Sequence, residues 1–293
     1  MAIDDISLLL VAASLMFLAV HPSSAHSRKF ISAEQSSFTS LDEVKPSIQA
    51  FEYKEPSNNP HGTPNDDISL ESSINTFQER NHLKVTQKLD SDTVDRMVKS
   101  RCGVPDIIRR PDKSIQNESL PINFHAHYAF LDYFVPWNKT HLTFRFTNTI
   151  PSVPVVGLHL AFVRSLKRWE SVSPFTFEQA NNGQVADINI GFYRGWHGDN
   201  APFDGRYNVV AHASGPLTSF VHFDADEAWR SNTPSKDEID LESVAMHEIG
   251  HVLGLGHSQD QNAVMYAYIN YGVVKRELQK DDLEGIRALY PPK

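Results

Sequence analysis

Cysteine is nearly absent from this chain: Cys102 is the single one in 293 residues, so no disulfide can form within it. Basic residues are also scarce, with 27 Lys and Arg against 36 Asp and Glu and a formal charge of −9. No surplus of cations is available to neutralise phosphates, and a nucleic-acid partner is not expected. Long apolar runs are missing as well. The one candidate, Ile6 to Val20, falls short of the roughly 20 residues that a membrane span needs. Followed by the small residues Ser23, Ser24 and Ala25, it reads as a secretory signal over residues 1–25, although Asp4 and Asp5 stand where basic residues are usual. The chain closes on Tyr290-Pro-Pro-Lys293 without an apolar tail, so no stable membrane anchor is expected there. No internal repeat is found. The remainder, 40 % apolar and 22 % charged, is ordinary globular composition, with length for one large or two ordinary domains.

What is present is concentrated late in the chain. His247-Glu248-Ile249-Gly250-His251 is followed by Gly254 and His257. Four residues apart on a helix, His247 and His251 project side by side, and two neutral imidazoles on one face can hold a zinc ion. Glu248 beside them can take a proton from water at the metal. Gly254 can adopt the left-handed backbone that ends a helix and lets the chain bring His257 back as a third ligand. Three protein ligands leave a fourth position open, the mark of a catalytic rather than a structural zinc. The full spacing, with Met265 as the candidate Met-turn residue, is that of the metzincin proteases.

An open position needs an occupant in a latent protein, and the sequence supplies one. Ser100-Arg-Cys-Gly-Val-Pro-Asp106 places Cys102 next to Arg101, a cation suited to lowering a thiol pKa, with Gly103 allowing close approach. Cys102 is therefore read as the group that fills the zinc site and keeps the protein off.

Between the two lies a stretch dense in ligands: His197, Asp199, Asp204, His212, His222, Asp224, Asp226 and Glu227. Three His and one Asp suit a closed tetrahedral zinc site, while Asp204-Gly205, Asp224 and Glu227 offer hard oxygens for calcium. A loop of this length with little secondary structure needs something to tie it down, and metals would do so. Asn117-Glu-Ser119 and Asn138-Lys-Thr140 are glycosylation acceptors, compatible with export.

Secondary structure follows from period and caps. Residues 26 to about 68 are polar and punctuated like a disordered segment, with a short helical stretch around Val44 to Tyr53. Leu70, Ile74, Phe77 and Gln78 fall near a helical period, and Asp90 starts a second helix ending near Val98. His141 to Thr147, Phe175 to Phe177 and Ala186 to Phe192 read as strands. Gly157 to Trp169, Leu241 to His257 and Asp281 to Tyr290 read as helices. Strands first and helices late fit an α+β class.

On these motifs the chain resembles the matrix metalloproteinases (matrixins), closest to the short plant type without a hemopexin domain. The Arg101-to-Asp106 switch, the His197-to-Trp229 loop, the three-His helix and Val264-Met265-Tyr266 carry the likeness. It implies a metzincin catalytic domain over 134–293, with a twisted five-stranded sheet and three helices, preceded by a small helical propeptide domain over 26–133. It implies catalytic zinc on His247, His251 and His257, with Cys102 as the fourth ligand in the zymogen, and Glu248 as general base. Structural zinc falls to His197, Asp199, His212 and His222. Calcium falls to Asp204, Gly205, Asp224 and Glu227, with the carbonyls of Tyr207 and Val209. The expected activity is hydrolysis of peptide bonds in extracellular proteins by a secreted, latent, monomeric zinc endopeptidase.

The sequence departs from the family at several places. Ser100 replaces the Pro that opens the switch, Phe220 stands where an Asp helps bind a second calcium, and Ala267 replaces the Pro of the substrate-pocket wall. The first propeptide helix is poorly matched, and without a hemopexin domain fibrillar collagenase activity is not implied. Two other classes compete. A catalytically inactive zinc-binding homologue is opposed by the intact Glu248 and third ligand. A zinc hydrolase of non-peptide bonds leaves the switch without a purpose.

Overall fold

The computed structural model describes residues 65–106, 127–131, 135–216 and 219–291, the first six of these by backbone alone. The signal segment, the Val44 to Tyr53 stretch and Asn117 lie outside the described residues.

Two helices come first. α1 (Asn65–Arg80) and α2 (Ser91–Met97) are joined through Gln78, whose side-chain amide donates to the Lys88 carbonyl at 2.8 Å and to Thr93 Oγ1 at 2.8 Å. Asp90 caps α2, accepting from Thr93 N at 3.0 Å and Thr93 Oγ1 at 2.6 Å, as its capping-type sequence predicts. Ile74, Phe77 and Met97 are buried in a small cluster with Phe203 and Val209, so this pair has its own apolar seam against the later chain.

The sheet is built from β1 (Arg101–Cys102), β2 (His141–Phe146), β3 (Thr176–Gln179), β4 (Ile188–Tyr193), β5 (Val209–Ala213) and β6 (Phe220–Asp224). Its order is β1-β5-β6-β4-β2-β3. The pairs β2/β3, β2/β4 and β4/β6 run parallel, β5 runs antiparallel to β6, and β1 runs parallel to β5. Five strands were implied by resemblance. The sixth is contributed by the Cys102 segment itself, and the mixed sheet with separate helices is α+β.

The metal-rich stretch is more ordered than its composition suggests. β5 and β6 lie inside it, and in the register His212 opposite His222 two candidate ligands face each other across the antiparallel pair. The alternation was obscured because His, Phe and Val share the strands. A short two-stranded ladder, β7 (Trp229–Arg230) with β8 (Ile239–Asp240), leads into the zinc helix.

α3 (Val155–Glu170) and α4 (Leu241–Val252) pack against each other, and α4 lies on β5 and β6. The seam is filled by Phe162, Leu166, Trp169, Phe223, Val244 and Ile249. Trp169 is fully buried and satisfies its indole by donating to the Met246 carbonyl at 2.9 Å. α4 is shorter than the sequence reading of Leu241 to His257. It ends at Val252 because Gly254 turns left-handed (φ 103°) and carries His257 out of the helix. α5 (Lys280–Leu289) closes the domain with a capping box between Gln279 and Asp282. Asp282 also accepts from Val264 N at 2.9 Å and Met265 N at 3.0 Å, which fixes the Met-turn to α5.

Candidate metal centre and cleft

His247, His251 and His257 each have their inner nitrogen already engaged. His247 Nδ1 lies 2.7 Å from the Val264 carbonyl, and His251 Nδ1 lies 2.7 Å from the Leu255 carbonyl. A carbonyl can only accept, so in both rings Nδ1 carries the proton and Nε2 presents a lone pair. The third ring is held by a carboxylate: His257 Nδ1 is 2.8 Å from Asp106 Oδ1. The Nε2 atoms of His247 and His251 are 3.1 Å apart, and Cys102 Sγ is 3.4 Å from His251 Nε2. Ligand atoms of all four residues fall within 4.8 Å of one another. One imidazole nitrogen at this point, His257 Nε2, is buried with no hydrogen-bond partner, as are both carboxylate oxygens of Glu248. Soft thiolate and imidazole donors converging on one point, with His257 Nε2 unsatisfied, fit a zinc ion.

In the protein alone the environment disfavours charge. Burial pushes Glu248 up to about 8, a rise that the neighbouring Cys102 tempers, and burial also drives His247 and His251 down. Burial, followed by the Glu248 charge, pushes the Cys102 thiol up. The expected help from Arg101 is small, because its guanidinium is spent elsewhere. It forms a two-pronged pair with Asp106, Nη1 to Oδ2 at 2.8 Å and Nη2 to Oδ1 at 2.6 Å. A divalent cation would reverse this, since a coordinating thiol is deprotonated outright.

His197, Asp199, His212 and His222 are brought together in a second cluster. Asp199 Oδ2 lies 2.9 Å from His197 Nε2, 2.7 Å from His212 Nε2 and 2.8 Å from His222 Nδ1. His197 Nδ1 meets the Gly195 carbonyl at 2.8 Å, which puts the ring proton on Nδ1 and turns the Nε2 lone pair toward the cluster. Burial alone would raise the Asp199 carboxyl, but hydrogen bonds from His212 and His222 hold it well below the usual range. Phe220, where an Asp was noted as missing, stacks on the His222 ring at 4.2 Å. Asp187, which matches one ligand of the family's second calcium site, instead accepts from Lys139 Nζ at 2.6 Å and Thr143 N at 2.8 Å.

Asp204, Asp224 and Glu227 lie along the same loop. Both oxygens of Asp204 are buried without a partner, and burial together with Asp224 pushes its carboxyl up to about 8. Asp224 accepts from Gly205 N at 3.2 Å, and Glu227 accepts from Tyr207 N at 2.5 Å. Tyr207 and Asn208 are left-handed (φ 76° and 54°), a backbone that non-glycine residues hold only when surrounding contacts enforce it. Val209 enters β5 directly after them.

The Cys102 segment lies in a groove between β5 and residues 267–269. Arg101 N donates to the Asn208 carbonyl at 2.7 Å and Gly103 N to the Ala211 carbonyl at 2.8 Å on one side. Cys102 N donates to the Ala267 carbonyl at 2.9 Å, and Ile269 N donates to the Ser100 carbonyl at 2.8 Å on the other. Arg101 also lies 5.2 Å from the Tyr268 ring centre, and Arg96 of α2 sits 5.1 Å from the same ring while donating to Tyr266 Oη at 2.7 Å. Beside His247 a small open cleft is lined by Val244, Val264, Tyr268, Ile269, Val273 and Lys275. Met265 lies below the helix, where a Cβ on Gly250 would come 2.3 Å from its sulfur.

A family model described as Matrixin matches residues 136–291, the stretch that holds every residue of the two clusters except Cys102. The chain belongs to the matrixin family. Relatives include the metalloendoproteinase 5-MMP of Arabidopsis thaliana, 43 % identical over 77 % of this chain and 64 % of that protein. Metalloendoproteinase 1 of Glycine max is 37 % identical over 80 % of this chain and 76 % of that protein. The interstitial collagenase of Equus caballus is 40 % identical over 75 % of this chain and 42 % of that protein. The chain thus spans just under two thirds of the length of the 5-MMP relative.

Two contributions to the matrixin site were not read from the sequence. Asp282 braces the Met-turn from α5, and Asp106 reaches His257 across 151 positions of chain. Asp106 lies inside the switch motif, but nothing in its spacing points to His257. Among the described residues no helix is long and apolar enough to cross a membrane.

Proposed function

We propose that this matrixin is a zinc-dependent endopeptidase made as a latent zymogen, with Cys102 on the fourth zinc position and Glu248 as general base. The observation that carries this reading is the convergence of Cys102 with His247, His251 and His257, beside a buried carboxylate with no partner. Four protein donors make a closed site, and loss of the thiolate leaves the three-ligand site of a catalytic zinc. A zinc ion held there supplies Lewis acidity toward water and a peptide carbonyl. Glu248 accepts the proton of the attacking water and returns it to the departing amine. The carbonyls of Asn208, Ala211 and Ala267 and the amide of Ile269, now engaged by residues 100–103, would hold an extended substrate. Met265 forms an apolar floor and does not coordinate.

The same reading assigns a second, structural zinc to His197, Asp199, His212 and His222. It assigns a calcium ion to Asp204, Asp224 and Glu227 with Gly205, Tyr207 and Val209. Residues 1–25 would be the export signal, 26–133 the propeptide and 134–293 the catalytic domain. Asn138, exposed at a bend, suits a glycan. Substrates would be extracellular proteins, cleaved by a monomer.

The test is a pair of variants. Glu248→Ala, freed of its propeptide, should keep its zinc by metal analysis and lose about 10²–10⁴-fold in cleavage of a quenched peptide. Wild-type turnover by that variant would sink the assignment. Cys102→Ser should cleave without an activating cut, and a fully latent variant would refute the switch. No cleavage by the processed wild-type chain would leave a non-catalytic zinc-binding homologue.

A further inference from the structure

The three zinc-facing imidazoles differ in what stands behind them. His247 and His251 lean on carbonyls of their own domain, whereas His257 leans on Asp106, a carboxylate from the Cys102 segment. Asp106 is buried and its second oxygen is clamped by Arg101 Nη1, itself buried, so the acceptor is fixed in place. A carboxylate behind a ligating histidine sets the tautomer, orients the ring and raises the basicity of the nitrogen facing the metal. Here that nitrogen is His257 Nε2, buried without any partner of its own.

We propose that Asp106 is a positioning residue for His257, so that the latent chain retains its catalytic zinc more tightly than the processed one. The segment that blocks the site thereby contributes twice to metal binding, through the Cys102 thiolate and through the carboxylate behind the third ligand. Cutting the chain beyond Asp106 and releasing the segment removes both. The inference rests on the zinc reading given above.

Zinc-loaded full-length protein, its zinc content measured first, is mixed with excess chromophoric chelator and metal release is followed. Wild type, Asp106→Asn, Cys102→Ser and the double variant are compared on the release phase that Cys102→Ser alters. Asp106→Asn should speed that phase by about 10–100-fold, both with Cys102 intact and in the Cys102→Ser background. If Asp106 merely braces the Cys102 loop through Arg101, it adds nothing once the thiol is gone, and that result overturns the proposal. A chain that takes up no zinc overturns the metal site and this assignment with it. Zinc that binds but leaves Asp106→Asn at the wild-type rate overturns the assignment alone. Should Asp106→Asn fail to fold, nitrogen-15 histidine spectra of the wild-type chain give an independent reading. The His257 Nδ1–H should move from the downfield shift of a carboxylate-bonded proton to that of a water-bonded one on cutting beyond Asp106 and removing the segment, and an unchanged shift would refute the bond.

Discussion

Gly103 sets how closely the Cys102 segment can approach β5. A Cβ at this position would stand 2.7 Å from Val209 Cγ1 and 3.3 Å from His212 Cβ, and Val209 is itself buried. Overpacking of this kind costs about 1–3 kcal/mol, and here the cost falls on the docked form alone. Gly103→Ala should therefore raise the undocked fraction by roughly tenfold, read as faster reaction of Cys102 with a disulfide reagent in the uncut chain. Unchanged thiol reactivity would mean that the segment has slack the packing does not show. Gly250 makes the matching demand from the other side of the site. Alanine favours a helix interior by about 1 kcal/mol over glycine. A Cβ at Gly250, however, meets Met265 Sδ at 2.3 Å and Trp169 at 3.1 Å. Gly250→Ala should lower the melting temperature despite its better propensity, and a rise would show that Met265 can move aside.

Among the elements, α4 matters most because its start and its end are fixed by different means. Asp240 caps it, accepting from Ser243 N at 2.8 Å, and is paired with Arg276. Asp240→Ala should cost about 1 kcal/mol for the cap and more for the lost pair with Arg276, which keeps Glu242 and the Asn232 carbonyl, a fall of about 4 °C or more by calorimetry. The C-terminal turn is set by Gly254, whose left-handed backbone was readable from residue type and spacing. The helix periods and the Asp90 cap were legible for the same reason: they depend on neighbours three and four residues away. β5 and β6 were not, since each carries a ligand histidine within its apolar pattern and they read as loop. Their register sets His212 opposite His222, a pairing that no local pattern announces. The ligand histidines could be named because metal chemistry restricts residue type. The partner of His257 could not, because a single aspartate carries no such restriction.

At the scale of the whole molecule, the loop carrying Asp204, Asp224 and Glu227 couples stability to pH. Burial raises all three carboxyls, to about 8, 6 and 7 respectively. A folded pKa above the unfolded one means that the folded state binds more protons, so stability falls as pH rises between about 4 and 8. Calcium bound there would compensate the charge and remove the fall. Protein stripped of calcium but kept in zinc should lose melting temperature from pH 6 to 8, and added calcium should flatten the profile. A flat profile in both conditions would argue against a cation at this site.

The sixth strand has one more effect on the molecule as a whole. β1 covers the outer edge of β5, where an exposed strand presents a row of unpaired donors and acceptors. Once that cover is cut away, any extended stretch of a neighbouring copy finds the same row, a few ångströms from the catalytic histidines. On the zymogen reading proposed above, the processed protein would be among its own nearest substrates, and its working lifetime should shorten as its concentration rises. On the same reading the uncut chain, with that edge closed by β1, would be spared this loss.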